Sequence, residues 1–292
     1  MTAKDALLAL LVVGLWGFNF VAAKVSLQDF PPLFLTCVRF CLVAAVLFPF
    51  LRVPREKLPG IALLSVILGS IHFPMMFTGI GGVDAATASV VAQLQVPFSS
   101  LLAAVFFKDR LGWRRAAGMG IAFAGVALIA GEPRMSGSLW PLTLIVAASF
   151  AFACASMQIK RIGVIDGYTL NAWLALLAAP QLFVLSLLVE EGQWHALTHA
   201  TASGWTALVY TALASTIVAY GIWYRLLRVY DVNQVVPSML LVPVFGVLSG
   251  VLILDDPFTL TLAVGGFLTV AGVGVIVLRR PGTVSDKVSN PT

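Results

Sequence analysis

Residues 84–130 read DAATASVVAQLQVPFSSLLAAVFFKDRLGWRRAAGMGIAFAGVALIA, and the same pattern returns from Asp231 onward. Each copy has a polar start, an apolar run broken by a proline, a charged turn, and a second apolar run with glycines. Spacings of 13, 12, 9 and 7 residues separate the markers of the first copy, which are Asp84, Pro97, Asp109, Gly118 and Gly125. In the second copy spacings of 12, 12, 10 and 7 residues separate Asp231, Pro243, Asp255, Gly265 and Gly272. One-residue slips of this kind indicate a divergent duplication.

The two charged turns have opposite signs. The first carries Lys108 and Arg110, whereas the second carries Asp255 and Asp256. Basic loops stay on the cytoplasmic side of a membrane, so the equivalent turns should lie on opposite sides. This pattern predicts an inverted repeat, as in many transporters.

Composition excludes a water-soluble globule. Of the 292 residues 60% are hydrophobic and 11% are charged, with a mean hydropathy of +0.98, whereas soluble domains carry roughly a quarter charged residues. The net charge of +5 is therefore interpreted as a topology signal, and no nucleic-acid partner is expected. Three cysteines within apolar runs, with no CxxC pair, predict neither a disulfide framework nor a metal site.

Apolar runs of about 20 residues, the length that crosses a bilayer, fill nearly the whole chain. The ten predicted spans are Ala6–Ala23, Pro32–Leu51, Leu58–Thr78, Ala85–Phe107, Trp113–Ala130, Leu139–Gln158, Tyr168–Val189, Trp205–Arg225, Val232–Leu254 and Thr259–Leu278. Five spans per half force the halves to insert with opposite orientation. We predict an all-α integral membrane protein with two inverted five-helix repeats, residues 1–132 and 137–280, around a central cavity, and a disordered cytoplasmic tail, residues 281–292.

The distribution of Lys and Arg sets the orientation. With a cytoplasmic N-terminus, all 18 of these residues fall on the cytoplasmic side except Lys24, Arg134 and Arg39, the last of which lies within span two. The reverse orientation would invert this bias, so both termini are predicted to be cytoplasmic. The chain is therefore predicted to be a multi-pass membrane protein surrounded by lipid, and the bacterial inner membrane is its expected location.

Ionisable residues within the spans are functional candidates, because charge in hydrocarbon is costly. Arg39 either binds an anionic group such as a carboxylate or bonds helix-end carbonyls near the outer interface, and the structural role is favoured. His72, beside Pro74 and one turn from Met76, either contacts the solute and titrates or bonds a neighbouring helix. No acid lies well inside a span, and no HExxH, GxSxG or P-loop pattern occurs, so no enzyme is predicted.

Uncharged polar residues provide the predicted solute site. Ser89 and Gln93 are four residues apart in span four, and Gln234 and Ser238, followed by Met239, have the same spacing in span nine. Pro97 and Pro243 occupy equivalent positions and are predicted hinges, since a proline frees a backbone carbonyl; a packing kink is the alternative. The predicted solute-binding residues are Trp16, Asn19, His72, Met76, Ser89, Gln93, Phe152, Ser156, Ser238 and Met239.

Two further patterns receive structural interpretations. His195 and His199 have a helical spacing, but two histidines are not a metal site, and a solvated loop is favoured. The glycines of spans five and ten predict close helix packing, either within the chain or in a weak homodimer.

The motifs together resemble the EamA branch of the drug/metabolite transporter superfamily. They are WGFNF at residues 16–20 with Lys24, Arg39-Phe40, Pro97, and the Asp109 and Asp255 turns followed by Gly125 and Gly272. The family usually has Glu where both turns have Asp, and the resemblance covers residues 1–280. It implies ten helices in two inverted repeats, with a cavity lined mainly by helices one, three, four, six, eight and nine. Within the branch the chain is most similar to the YddG-type exporters of aromatic and other neutral amino acids.

The residues and the resemblance predict one function. The chain should export aromatic or hydrophobic neutral amino acids by alternating access, driven by the solute gradient or weakly coupled to protons through His72, without a cofactor. The alternative is a proton-driven exporter of drugs or other small amphipathic metabolites, which would need a buried acid. A membrane scaffold or a lipid-modifying enzyme is disfavoured by the duplicated proline-broken helices and by the absence of a catalytic motif.

Overall fold

The computed structural model describes residues 1–50, 55–106, 112–132, 137 and 139–278. The regular structure in those ranges is helical, without a strand. Its long helices are α1 (Ala3–Ser26), α2 (Pro32–Phe50), α3 (Arg55–Gly82), α4 (Ala85–Phe106), α5 (Trp113–Ala130), α6 (Leu139–Ile162), α7 (Gly167–Val189), α8 (Ala202–Val229), α9 (Val236–Leu254) and α10 (Leu260–Val277). Two short helices, Gln193–His199 and Val232–Val235, precede α8 and α9 respectively.

Within the described ranges nine helices, all of these except α5, are long and apolar enough to cross a membrane. The all-helical membrane class is thereby confirmed. Helix α5 has 18 residues, but Arg114 and Arg115 in its first turn reduce its apolar character. The count of ten spans and the orientation of the termini therefore stay predictions. The basic turn at Lys108, Asp109 and Arg110, as well as Arg134 and the tail 281–292, lie outside the described residues.

Large apolar side chains cover the outer surface of the bundle. Leu252 is 76% exposed and Phe267 is 73% exposed, which would be unfavourable in water. Inward positions carry small residues, such as the fully buried Ala172 and Ala178 of α7. This pattern suits lipid outside and close helix packing inside.

Seven helix pairings build the bundle and leave a space between the two halves of the chain. Helix α5 packs along α10, α2 along α7, and α4 along α9. In addition, α1 packs on α8 and α9, and α6 packs on α3 and α4. These contacts bring α1, α3, α4, α6, α8 and α9 around a common interior.

Glycines allow α5 and α10 to approach closely. A Cβ atom on Gly118 would lie 2.8 Å from the Gly272 carbonyl oxygen, and one on Gly125 would lie 2.5 Å from the Gly265 carbonyl oxygen. Both distances are too short for any side chain. The predicted close packing of these glycines therefore occurs within one chain.

Four segments in the interior of the inner helices depart from α geometry. Ser65–His72 in α3 and Leu213–Val218 in α8 are π-helical, while Ala92–Leu94 in α4 and Val236–Leu241 in α9 are 3₁₀-helical. Such departures within membrane helices are found where the backbone lines a cavity or serves a function.

Charged side chains cap helix ends where α1 terminates. The Lys24 ammonium donates to the carbonyls of Ile80 (3.0 Å), Gly81 (2.8 Å) and Val83 (2.7 Å), at the C-terminus of α3, where a cation is favoured. The Asp256 carboxylate accepts from the Ala86 N–H (2.8 Å) in the first turn of α4. Burial raises the pKa of the Asp256 carboxyl, and the nearby Asp84 raises it further. The Ala86 N–H and Lys24 lower this pKa, but the net effect is a rise.

Candidate functional site

A cavity of about 270 Å³ lies among the inner helices. Its wall is formed by α1, α3, α4, α6, α8 and α9, the helices that the family resemblance implies, and by α2 through Arg39. Most of the predicted solute-binding residues line it, namely Trp16, Asn19, His72, Met76, Gln93, Phe152 and Met239. The chain folds so that residues distant in sequence converge on one space; their binding role stays a prediction.

The three predicted serines do not line this cavity. The hydroxyl of Ser89 donates to the Ala86 carbonyl (2.8 Å), that of Ser156 to Phe152 (2.9 Å) and that of Ser238 to Val235 (2.7 Å). A serine in a membrane helix finds such an acceptor within its own turn, so these hydroxyls already have a partner within their own helix.

The two predicted hinge prolines lie directly beside the cavity. Pro97 and Pro243 are buried and have no N–H, so the carbonyls four residues earlier lose their usual helical donor. Those carbonyls belong to Gln93 and Met239, which both line the cavity within 3₁₀-helical turns. Each irregular segment likewise contributes lining residues, including His72 from α3 and Ser215 from α8.

Aromatic rings form most of the wall. The Trp16 ring lies 5.2 Å from the rings of Tyr220 and Trp223, and its indole N–H donates to the Ser215 carbonyl (3.1 Å). This bond fixes Trp16 against α8, with its ring toward the cavity. On the opposite side the Phe152 ring lies 5.4 Å from the His72 ring.

His72 is buried and held in one tautomer. Its Nδ1 lies 2.8 Å from the Ala148 carbonyl oxygen, which can only accept, so Nδ1 carries the proton. In the neutral ring Nε2 is then an acceptor. His72 therefore bonds a neighbouring helix, as one of the two interpretations from the sequence has it, and its ring also lines the cavity. Its contact with the solute stays a prediction.

Arg39 lies at the cavity, although the sequence favoured a role near the outer interface. Its side chain is 4% exposed, and its guanidinium carbon lies 4.6 Å from the Phe73 ring centroid and 5.5 Å from that of Phe77. Its Nη2 donates to the Thr216 hydroxyl (2.8 Å). Thr216 in turn donates to the carbonyl of Thr211, five residues earlier, in the π-helical turn of α8.

Several polar atoms at the cavity have no partner. Among the described residues, the buried side-chain nitrogens and oxygens without a hydrogen bond are Arg39 Nε, Arg39 Nη1, Asn19 Oδ1 and Thr87 Oγ1. Arg39 and Asn19 both line the cavity. Buried polar groups are normally paired, so the unpaired atoms of Arg39 and Asn19 are exceptions at the cavity wall.

The sequence did not identify Phe20, Phe73, Phe77, Tyr220 and Trp223 as part of the wall. The sequence does contain a pattern that predicts part of this wall. One helix face beside His72 carries apolar residues at helical spacing, namely Phe73, Met76, Phe77 and Ile80. Within the described ranges no group of three or more His, Cys, Asp or Glu side chains lies together to hold a metal ion. His195 and His199 stack on each other at 4.3 Å, away from the cavity.

Comparison with known proteins extends these observations. The model of the EamA-like transporter family matches residues 4–131 and again residues 139–278. The chain is 35% identical to a probable amino-acid metabolite efflux pump of Escherichia coli (strain K12), over 95% of this chain and 96% of that protein. It is 36% identical to a protein of the same description from Salmonella typhimurium, over 98% and 100% of the two chains.

One solved crystal structure shares the fold. It aligns with a TM-score of 0.66 over 95% of this chain and 98% of the other, at 20% sequence identity. At that identity the similarity concerns the backbone arrangement alone.

Proposed function

The chain belongs to the EamA-like transporter family, and on that premise we propose that it exports aromatic and other hydrophobic neutral amino acids. It is a multi-pass membrane transporter and not an enzyme, which agrees with the predicted location in a bacterial inner membrane. The two efflux pumps that resemble it along nearly their whole length are described as acting on amino-acid metabolites, which supports this substrate class.

The composition of the cavity wall carries the proposal. Trp16, Phe152, Tyr220 and Trp223 supply aromatic surface, and no carboxylate occurs among the described lining residues. Aromatic and apolar walls with a few polar groups suit a small amphipathic solute. A phosphorylated solute would need several Lys or Arg side chains in the cavity wall. Among the described lining residues, Arg39 is the single residue of these two types.

Alternating access between two inverted five-helix repeats is the mechanism that we infer. Exchanging each helix for its counterpart five helices away leaves the packing pairs unchanged, since the α1 contacts with α8 and α9 become the α6 contacts with α3 and α4. The glycine contacts behave alike, because Gly118 with Gly272 becomes Gly265 with Gly125. Rocking of one half against the other would bend α4 and α9 near Pro97 and Pro243.

Transport down the solute gradient, or weak coupling to protons, fits the charges of the cavity. His72 is the lining residue whose side chain ordinarily titrates near neutral pH. A drug exporter driven by protons would require a membrane-embedded acid instead.

Uptake by purified protein in liposomes tests the proposal. Radiolabelled Phe, Trp, Met and Thr would be compared with a quaternary-ammonium dye, with and without an imposed pH gradient. Saturable uptake of Phe and Trp without a pH gradient supports the proposed exporter. Dye transport that requires a pH gradient, with no amino-acid uptake, would refute it in favour of the drug exporter.

A pair of variants on one helix locates the site. Phe152→Ala removes a lining ring and should raise the half-saturating concentration of Phe about tenfold, from aromatic contacts worth about 1–2 kcal/mol. Ser156→Ala is the matched control, because its hydroxyl bonds its own helix. Equal effects of the two changes would exclude this cavity as the binding site.

A further inference from the structure

We propose that the cavity binds a free amino acid as a zwitterion, with its carboxylate on the guanidinium of Arg39 and its ammonium on Oδ1 of Asn19. This assignment rests on the proposed function and specifies which atoms of the solute are recognised. It follows from unpaired polar atoms, buried charge and the contacts of α8.

The Arg39 guanidinium is held in one orientation, while two of its nitrogens have no hydrogen-bond partner. Phe73 and Phe77 lie near the guanidinium, at 4.6 and 5.5 Å from its central carbon, and contribute cation–π attraction. Thr216 binds Nη2 at 2.8 Å and fixes the orientation of the group. The N–H groups of Nε and Nη1 remain unpaired although the side chain is 4% exposed.

Among the residues that the structure describes, no acidic side chain pairs with this cation. The titratable groups that interact with Arg39 electrostatically are Tyr220 and His72, and neither is an acid that ionises at neutral pH. A buried guanidinium without a counter-ion is costly, so it strongly favours an anionic ligand. A carboxylate fits best, since its two oxygens can accept from one edge of the guanidinium. That edge combines unpaired Nε or Nη1 with Nη2, which has a second hydrogen besides the one donated to Thr216.

Asn19 provides the complementary acceptor. Its Oδ1 is buried without a partner, and Asn19 lines the same cavity. Trp16 lies one helical turn earlier and contacts Ser215 and Tyr220 of α8, while Arg39 contacts Thr216 of the same helix. Arg39 therefore adjoins this segment of α8, and Asn19 lines the same cavity one helical turn after a residue that contacts it.

The solute side chain would then lie against the aromatic wall. Phe152 and Met76 line the cavity together with Arg39 and Asn19. Recognition through the backbone atoms of the amino acid, combined with an apolar wall, would accept several neutral side chains. It would reject amines and acids that have only one of the two charged groups.

Competition against radiolabelled L-phenylalanine on the full-length protein in detergent tests this assignment. The competitors are L-phenylalaninamide, which lacks the carboxylate, and hydrocinnamate, which lacks the ammonium. Each should bind the wild type at least about tenfold more weakly than L-phenylalanine, because each loses a charge-assisted hydrogen bond. If L-phenylalaninamide competes as well as L-phenylalanine, the carboxylate assignment is overturned without any variant.

Variants separate recognition from a structural role. Arg39→Gln should weaken L-phenylalanine about tenfold or more while leaving L-phenylalaninamide unchanged, and Arg39→Lys should retain part of the preference. Asn19→Leu should remove the preference over hydrocinnamate but keep the preference over the amide. Ser156→Ala, outside the cavity, should change neither ratio.

Failure of this inference is distinct from failure of the proposed function. If the wild type neither binds nor transports any of the amino acids, the proposed function is wrong. If it transports them and Arg39→Gln weakens L-phenylalanine and its amide equally, only the zwitterion assignment is overturned. Should Arg39→Gln not fold, the competitor series on the wild type and on Asn19→Leu still decides.

Discussion

Replacing Gly125 by alanine should destabilise the bundle at the contact between α5 and α10. The added Cβ would lie 2.5 Å from the Gly265 carbonyl oxygen and 2.8 Å from the Thr269 backbone nitrogen. Both are backbone atoms of a helix, so neither can rotate away. An ordinary contact of a Cβ begins at 3.4 Å, and the helices must separate by roughly 1 Å. Overpacking of this kind costs about 1–3 kcal/mol.

Gly120→Ala is the matched control, since it lies on the same helix with nothing within 4 Å of its added Cβ. Both substitutions gain about 0.5–1 kcal/mol of helix propensity. The difference between the two variants therefore isolates the steric cost. Thermal unfolding in one defined detergent should give a lower Tm for Gly125→Ala than for Gly120→Ala by about 2 °C or more. Equal Tm values would refute the close helix contact.

Three further predictions concern charged groups. His72→Asn keeps a donor near the Nδ1 position but cannot titrate, so any acceleration of liposome uptake by a pH gradient should vanish; an unchanged acceleration removes His72 from proton coupling. Burial and Asp84 raise the pKa of Asp256 in the folded state, so the folded protein binds a proton more readily there than the unfolded chain does. As the pH falls from about 7 to 4, the Tm of the wild type should therefore rise relative to that of Asp256→Asn. The opposite trend would contradict the assigned cause. Arg39→Met should raise the Tm of the ligand-free protein by removing an unpaired buried charge, while abolishing further stabilisation by L-phenylalanine; a lower Tm would indicate a structural role.

The helices were predictable from the sequence because a bilayer requires long apolar runs. The predicted span Pro32–Leu51 begins where α2 begins, and the span Ala85–Phe107 corresponds to α4, Ala85–Phe106. Helices α1, α3 and α8 extend beyond the predicted spans by about one turn at their ends. Polar residues in those last turns, such as Lys24, ended the apolar pattern although the backbone remains helical.

The choice among polar residues was less predictable. Ser89 and Gln93 are four residues apart and therefore lie on one face of α4, but of the two only Gln93 lines the cavity. A serine hydroxyl reaches a carbonyl of its own turn, as Ser89 does with Ala86. The longer side chain of glutamine extends away from its own helix. Sequence spacing identifies the face of a helix but cannot show whether a hydroxyl has already been satisfied locally.

The sequence favours a structural role for Arg39 near the outer interface, because the residue is only about two helical turns from the outer end of its span. Three aromatic rings instead surround it, those of Phe40, Phe73 and Phe77, and a π-helical turn of another helix supplies Thr216. None of these partners is adjacent in sequence except Phe40. The position of the guanidinium therefore depends on the packing of α2, α3 and α8, which one sequence does not contain.

The unpaired state of Arg39 also suits a transporter better than a tight binder. A permanent carboxylate partner from the protein would stabilise the guanidinium, but it would compete with the solute for the same donors. Cation–π contacts with Phe73 and one bond to Thr216 offset part of the cost of burial and leave the remainder to be offset by the solute. Because the desolvation cost of the ion opposes its attraction to the carboxylate, the net affinity stays moderate. A carrier that must release its solute on the other side of the membrane requires such a balance, and it is consistent with a cavity whose polar atoms are positioned but unpaired.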